Sequence, residues 1–224
     1  MKPIDIELLR KQLIAWYRTN HRDLPWRRSK NAYRIWVSEV MLQQTQVNTV
    51  VNYYRQFLKT FPNIKQLAGA DLQAILKAWE GMGYYARARN LHRAAKAVVR
   101  DHGGRIPKTW EAFHNLPGVG DYIAAAVLSM AFDQPFAVVD GNVKRVLARL
   151  YKIQAPVNQA GALNRFKETA AKLLDSRQPG TFNQALMELG ALICKPRNPA
   201  CNVCPLNPFC RAYKTNQVDR FPKR

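Results

Sequence analysis

The sequence predicts an all-α protein, on three observations. Apolar residues recur at helical spacing along most of the chain, and no run alternates long enough to make a convincing strand. The periodic runs are punctuated by Gly and Pro, the usual helix breakers.

The elements follow in order. An amphipathic helix is expected over residues 4–17, stopping before Leu24-Pro25-Trp26. One long helix is expected over residues 32–59. In 71–80, Leu72, Ile75, Leu76 and Trp79 fall at i, i+3, i+4 and i+7, and Gly81-Met82-Gly83 ends the run. In 85–100, Leu91, Ala95, Val98 and Val99 face inward, while Arg89, Arg93, Lys96 and Arg100 form a stripe on the other side. That stripe reads equally as a solvated face or as a row of phosphate contacts. Gly103-Gly104 breaks the chain before a short helix over 109–115; the segment LPGVG (116–120) then leads into a helix over 121–131. Asp140 opens a helix that places Val143, Val146, Leu147 and Leu150 on one side. Two more helices, near 161–174 and 182–194, lead into a cysteine-rich loop. No internal repeat or low-complexity segment is present.

Composition narrows the function. The 224 residues suffice for one large or two small domains, and 47% hydrophobic with 22% charged residues describes a soluble globular chain. Lys and Arg number 35 against 15 Asp and Glu, a net charge of +20 and a pI near 10.2, which implies a polyanionic partner. No apolar run approaches the ~20 residues needed to span a bilayer, and the N-terminus lacks a signal-peptide core. A nucleic acid is therefore expected before a membrane, in a cytosolic setting that would be nucleoid-associated in a bacterium.

The stretch WVSEVMLQQTQV (36–47) sets a problem. At about 100° per residue its apolar side chains spread around the whole helix, which implies burial and carries Glu39 inside. A buried carboxylate costs several kcal/mol unless it is paired or protonated. Glu39 is therefore either satisfied quietly by the fold or used for its raised proton affinity.

Two other stretches carry chemistry. In LPGVG, Gly118 and Gly120 permit a tight turn whose backbone amides, those of Gly118, Val119 and Gly120, meet an anion at the start of a helix. That is the pattern of a helix-hairpin-helix motif gripping a DNA phosphate, although Asp121 is an awkward neighbour for one. The four cysteines, Cys194, Cys201, Cys204 and Cys210, lie within 17 residues and look like a ligand set for zinc or an iron–sulfur cubane, not a disulfide framework. Seven basic residues (Lys195, Arg197, Arg211, Lys214, Arg220, Lys223 and Arg224) accompany them against Asp219 alone. Stabilising a basic, DNA-facing loop is the preferred role over redox chemistry.

Together LPWR (24–27), SEVMLQQTQV (38–47), GMGYYARARNL (81–91), LPGVG, VDGNVKRVLAR (139–149), FNQALMELGALIC (182–194) and the cysteine spacing resemble the adenine DNA glycosylases, the MutY family. More broadly they resemble the endonuclease III superfamily of helix-hairpin-helix glycosylases. The resemblance runs from about residue 8 to residue 210.

It implies a two-lobed fold, with a six-helix barrel over 23–132 and a cluster domain of 1–22 and 133–224 holding one [4Fe-4S] cluster on the four cysteines. It implies a monomer that binds double-stranded DNA, flips out an adenine mispaired with 8-oxoguanine or guanine, and cuts its N-glycosidic bond. Glu39 is then the general acid for the leaving purine, and Asp140 stabilises the oxocarbenium-like sugar across the cleft between lobes. Asp140 also suits a plain N-cap, and both roles are compatible. Asn142 matches a polar residue supporting the site. Gln44 and Tyr84 match residues that push into the base stack; Arg22, Leu24, Trp26, Arg27 and Gln184 match positions lining the adenine pocket, with ordinary packing as their plainer reading.

Tyr122 stands where bifunctional members carry a lysine that forms a Schiff base, so a monofunctional enzyme using water is expected. Family members usually continue into a C-terminal domain that helps recognise 8-oxoguanine. This sequence stops at FPKR (221–224), about where the connector would begin, which puts a strong 8-oxoguanine preference in doubt but not the chemistry of adenine removal. Two rivals stay open. One is a thymine glycosylase for G·T mismatches, whose short members also carry tyrosine at the position of Tyr122. The other is a DNA-binding module without catalysis.

Overall fold

A computed structural model of the protein describes residues 4–223. Arg224, counted above with the basic residues of the cysteine loop, lies outside the described residues. Among the described residues the chain is helix and loop, with no strand. The helices are α1 Ile6–Asn20, α2 Ala32–Leu42, α3 Val47–Thr60, α4 Ile64–Gly69, α5 Leu72–Ala78 and α6 Ala86–His102. They continue as α7 Trp110–His114, α8 Asp121–Phe132, α9 Gly141–Tyr151, α10 Ala160–Leu173, α11 Pro179–Leu192 and α12 Arg211–Lys214.

The chain divides into two compact units, one of residues 23–132 and one joining the residues up to 22 to those from 133 onward. In the contiguous unit, α2 packs on α8, α4 and α5 pack on α6, and α7 packs on α8. α8 is buried along Ile123–Met130, where the run Ala124–Ala126 lets neighbouring backbones approach closely and Ile123, Val127, Leu128 and Met130 fill the core. Trp36 meets Phe113 edge-on at 5.0 Å, and Phe57 meets Trp79 edge-on at 5.8 Å. In the discontinuous unit, α11 packs against both α1 and α9, and α10 and α12 close on α9. Its core joins Leu9, Leu13 and Tyr17 of α1 to Leu147, Phe166, Phe182 and Leu189.

The single helix expected over 32–59 is two. α2 ends at Leu42, the chain turns through Gln43–Gln46, and α3 begins at Val47. Gln44 takes the left-handed conformation, φ 57°, which no α-helix accommodates. Neither Gly nor Pro marks that break. A second difference is α4, whose start is signalled locally: Pro62 precedes Asn63, and the Asn63 side chain accepts from the Gln66 N–H. The other predicted helices are present within a few residues of their expected ends.

Candidate active site

Glu39 sits in the middle of α2 with 3% of its surface exposed, among Trp36, Val40 and Met41. The burial expected from the all-round apolar helix is found. Tyr122, on the first turn of α8, donates its hydroxyl proton to Glu39 Oε2 at 2.5 Å. The packing of α2 on α8 is what brings the two together across 83 residues of sequence. Two effects then oppose each other at Glu39. Burial disfavours the carboxylate, while a hydroxyl donor favours it.

In the other unit, Asp140 is the N-cap of α9. Its Oδ1 accepts from the Val143 N–H at 2.7 Å, and its Oδ2 accepts from Asn142 Nδ2 at 2.9 Å. Burial pushes the Asp140 carboxyl up from the ordinary range, and these two donors with the nearby Arg145 charge pull against it. Asn142 in turn accepts from Arg145 Nη2 at 2.7 Å. Arg145 also donates to the carbonyls of Gly190, at 2.8 Å, and Cys194, at 2.7 Å. Asp140 is thus the end of a hydrogen-bonded chain whose other end is the first cysteine of the loop. Gly190 is required here, since a Cβ on it would lie 2.6 Å from Asn142 Cβ.

The four cysteines form no disulfide and all line one pocket, with Arg149, Ile193, Asn207, Tyr213 and Val218. Burial pushes the thiols of Cys201, Cys204 and Cys210 up, Cys204 to about 12, and the neighbouring sulfurs push the same way. Four soft sulfur donors gathered in one pocket suit a group that binds thiolates. Among the described residues, no three His, Cys, Asp or Glu side chains are close enough to hold a single ion. Arg149, 2% exposed, organises the loop. It donates to Cys194 Sγ at 3.4 Å, to the carbonyls of Lys195 and Pro196, and to those of Val218 and Phe221.

The remaining expected residues behave less uniformly. Leu24 and Trp26 are buried, Trp26 edge-on to Tyr54 at 5.3 Å, so both pack the core of the contiguous unit. Arg27, in the turn Pro25–Arg27, is half-buried. Arg22 is committed to Glu188: its N–H, Nε and Nη2 reach the carboxylate at 2.8, 2.9 and 2.6 Å, and Glu188 is 1% exposed. Gln184 accepts from the Tyr17 hydroxyl at 3.0 Å. Gln44 and Tyr84 are both exposed and both left-handed, at φ 57° and 51°.

In the glycine turn, Gly118 takes φ 76°, and a Cβ there would strike Asn90 at 2.6 Å. The Val119 N–H closes the turn on the Leu116 carbonyl at 3.1 Å, and the Val119 side chain is buried. Gly120 has no positive φ and open space around it, so its place is not imposed by conformation. Asp121 is met by His114 Nε2 at 2.8 Å, which offsets its charge beside the turn whenever the imidazole is protonated. The stripe of Arg89, Arg93, Lys96 and Arg100 is exposed.

Sequence reasoning missed Arg87, Arg145, Arg149 and Glu188 as organising residues. The signal was present for two of them, since Arg145 and Arg149 stand four apart on one side of a single helix.

Comparison with known proteins places these features in company. The sequence model of the HhH-GPD superfamily base excision DNA repair proteins matches residues 37–172, and that of the iron-sulfur binding domain of endonuclease III matches residues 194–210. The chain is 45% identical to the adenine DNA glycosylase of Rattus norvegicus over 94% of its own length and 42% of the relative's. It is 42% identical to that of Buchnera aphidicola subsp. Baizongia pistaciae, over 92% of its length and 58% of the relative's. The chain therefore spans about half the length of these curated relatives, or less. A solved thermostable thymine-DNA glycosylase superposes with a TM-score of 0.85 at 30% identity, covering 94% of this chain and 97% of that one.

Proposed function

Because this chain belongs to the HhH-GPD superfamily of base excision DNA repair proteins, we propose that it is a monofunctional DNA N-glycosylase excising adenine mispaired with 8-oxoguanine or guanine. The observation that carries this reading is Glu39, buried in α2 and in direct hydrogen bond with Tyr122. A purine leaves poorly as an anion. Glu39 supplies a proton to its ring as the bond to the sugar breaks, and the bond's electron pair goes to the base. Tyr122 holds the carboxyl in place and, lacking an amine, forms no imine with the sugar. Asp140 stabilises the cationic sugar that remains, its aim fixed by Val143 and Asn142. Water then adds, so the net reaction is hydrolysis without strand cleavage.

Double-stranded DNA is the partner that the charge of +20 favours. The amides of Gly118 and Gly120 and the exposed basic stripe of α6 would contact phosphates, and Gln44 and Tyr84, both exposed, would enter the base stack. Cys194, Cys201, Cys204 and Cys210 would hold one [4Fe-4S] cluster, a reading supported by their shared pocket and by the match of residues 194–210 to the iron-sulfur binding domain of endonuclease III. When bound, it supplies the positive charge that lets four clustered sulfurs remain thiolates and so fixes the basic loop.

A second reading has one observation in its favour. The thymine-DNA glycosylase covers almost the whole chain at 30% identity, so removal of thymine from G·T mismatches is the rival specificity. Single-turnover assays on duplexes with A opposite 8-oxoguanine, A opposite G and T opposite G, with and without alkali, separate the two. The expected result is adenine-strand breakage only after alkali, lost by about 10²–10⁴-fold in Glu39→Gln with DNA affinity retained. Thymine-strand breakage instead makes the rival correct, and binding without any release leaves a non-catalytic DNA-binding module.

A further inference from the structure

Arg87 is not among the residues so far given a role, and its geometry is unusual. It is the second residue of α6, and its guanidinium reaches two separate loops of the contiguous unit. Nη1 donates to the carbonyls at the end of α2, to Val40 at 3.1 Å and Met41 at 2.8 Å, and also to that of Gln43. Nη2 donates to Thr45 Oγ1 at 3.0 Å and to the Gly83 carbonyl at 3.2 Å. Trp79 and Tyr84 place their rings 5.7 and 5.2 Å from its Cζ. Trp79 Nε1 meets the same Gly83 carbonyl at 3.2 Å.

Two of these five acceptors lie in the last turn of α2, and the other three flank the two exposed left-handed residues. Gln44 lies between the acceptors on Gln43 and Thr45, and Tyr84 follows the acceptor on Gly83. A non-glycine residue at positive φ stays there only when its surroundings over-determine it. Arg87 is what the two strained positions have in common. Its planar fork reaches both loops from two nitrogens in fixed geometry, whereas the ammonium of lysine is one point with three rotatable donors. The guanidinium also takes up carbonyls at the end of α2 that have no partner within the helix, and so fixes the end of the helix that carries Glu39.

We propose that Arg87 is a positioning residue, a clamp that holds Gln44 and Tyr84 at a fixed spacing so that both enter the duplex together. The role rests on the glycosylase reading; the clamp itself does not. DNA contact by the two loops is only useful if they are set before binding, because ordering them on the DNA would cost affinity.

Two measurements on the full chain test it. Amide hydrogen exchange without DNA, comparing wild type with Arg87→Lys, should show residues 42–46 and 81–85 loosening together by about tenfold, with α3 and α8 unchanged. Thr45→Val, which removes one acceptor, should move the same amides less and guards against a lysine variant that fails to fold. Single-turnover excision should then fall about tenfold on a fully paired A·G duplex. It should stay within about threefold on a duplex with adenine opposite an abasic site, where no partner base must be displaced. Equal losses on both duplexes make Arg87 merely structural, and unchanged exchange in either loop overturns the clamp. If the wild-type chain releases no base from any duplex, the glycosylase reading fails and the positioning role falls with it; the exchange data then judge the clamp alone.

Discussion

The Tyr122 hydroxyl and the Glu39 carboxylate share a hydrogen bond of 2.5 Å inside an otherwise apolar helix pair. Replacing Tyr122 by Phe keeps the ring and its packing while removing that donor. Excision is expected to fall about tenfold, the worth of one hydrogen bond to a charged group. The alkaline limb of the rate–pH profile should move to higher pH, because Glu39 loses a group that favours its ionised form. Unchanged rate and profile would remove Tyr122 from the site.

Asp140 offers a stability prediction with a definite sign. Its folded pKa is raised by burial, so ionising it opposes folding. The cost is absent below the unfolded carboxylate range, grows as pH rises through the folded value, and persists above it. Asp140→Asn keeps a good N-cap and should melt higher than wild type at pH 7 but not at pH 3, while losing excision. Melting curves at the two pH values check both halves.

Gly190→Ala tests the contact between α11 and α9. The added Cβ meets Asn142 at 2.6 Å, with backbone of the same residue at 3.1 Å. Overpacking of this kind costs about 1–3 kcal/mol, and here the displaced side chain is the one that steadies Asp140. Urea unfolding and single-turnover rates should both register the change. Because alanine at 142 keeps the Cβ and backbone that the new methyl meets, an Asn142→Ala, Gly190→Ala pair should not recover stability.

Arg149→Leu should loosen the cysteine loop. Several carbonyls and one sulfur lose a buried charged donor, and a loss of about 3 kcal/mol lowers Tm by roughly 6–12 °C in a chain of this size. Iron content and absorbance near ~400 nm, which report a thiolate-held cluster, should fall together. Zinc in a colourless wild-type protein would refute the cluster assignment outright.

Asp121→Asn removes a negative charge from the first turn after the glycine hairpin, and with it the contact to His114. DNA should bind about two- to fivefold more tightly at low salt, and the advantage should shrink as screening rises. Fluorescence anisotropy across a salt series reads this directly. An unchanged affinity would mean the hairpin touches no phosphate.

What the sequence made legible follows the range of the forces involved. Helices whose caps are local, such as Asp140 with Val143 or Asn63 with Gln66, leave a mark that can be read in four residues. The burial of Glu39 was legible because apolar side chains surround it on its own helix. The break at Gln43–Gln46 was not, because the group that donates to those helix-end carbonyls, Arg87, comes from 44 residues away. The pairing of Arg22 with Glu188 was hidden for the same reason, across 166 residues. In the glycine turn the sequence suggested three donors, and the backbone geometry shows the Val119 N–H closing the turn on Leu116.

The discontinuity of the second unit has a consequence for how the chain is made. Residues 23–132 are contiguous, so that unit can fold as soon as it has left the ribosome. α1, although synthesised first, packs against α11, which begins at Pro179. At about 5–20 residues per second, the first helix waits roughly 8–30 s for its partner. Through that interval the apolar stripe of Leu9, Leu13, Ile14 and Tyr17 has nothing of its own to cover it. Conditions that slow translation lengthen the exposure, and a chaperone that shields short amphipathic helices shortens its effect. Pulse proteolysis of stalled nascent chains should therefore find 23–132 protected well before residues 6–20.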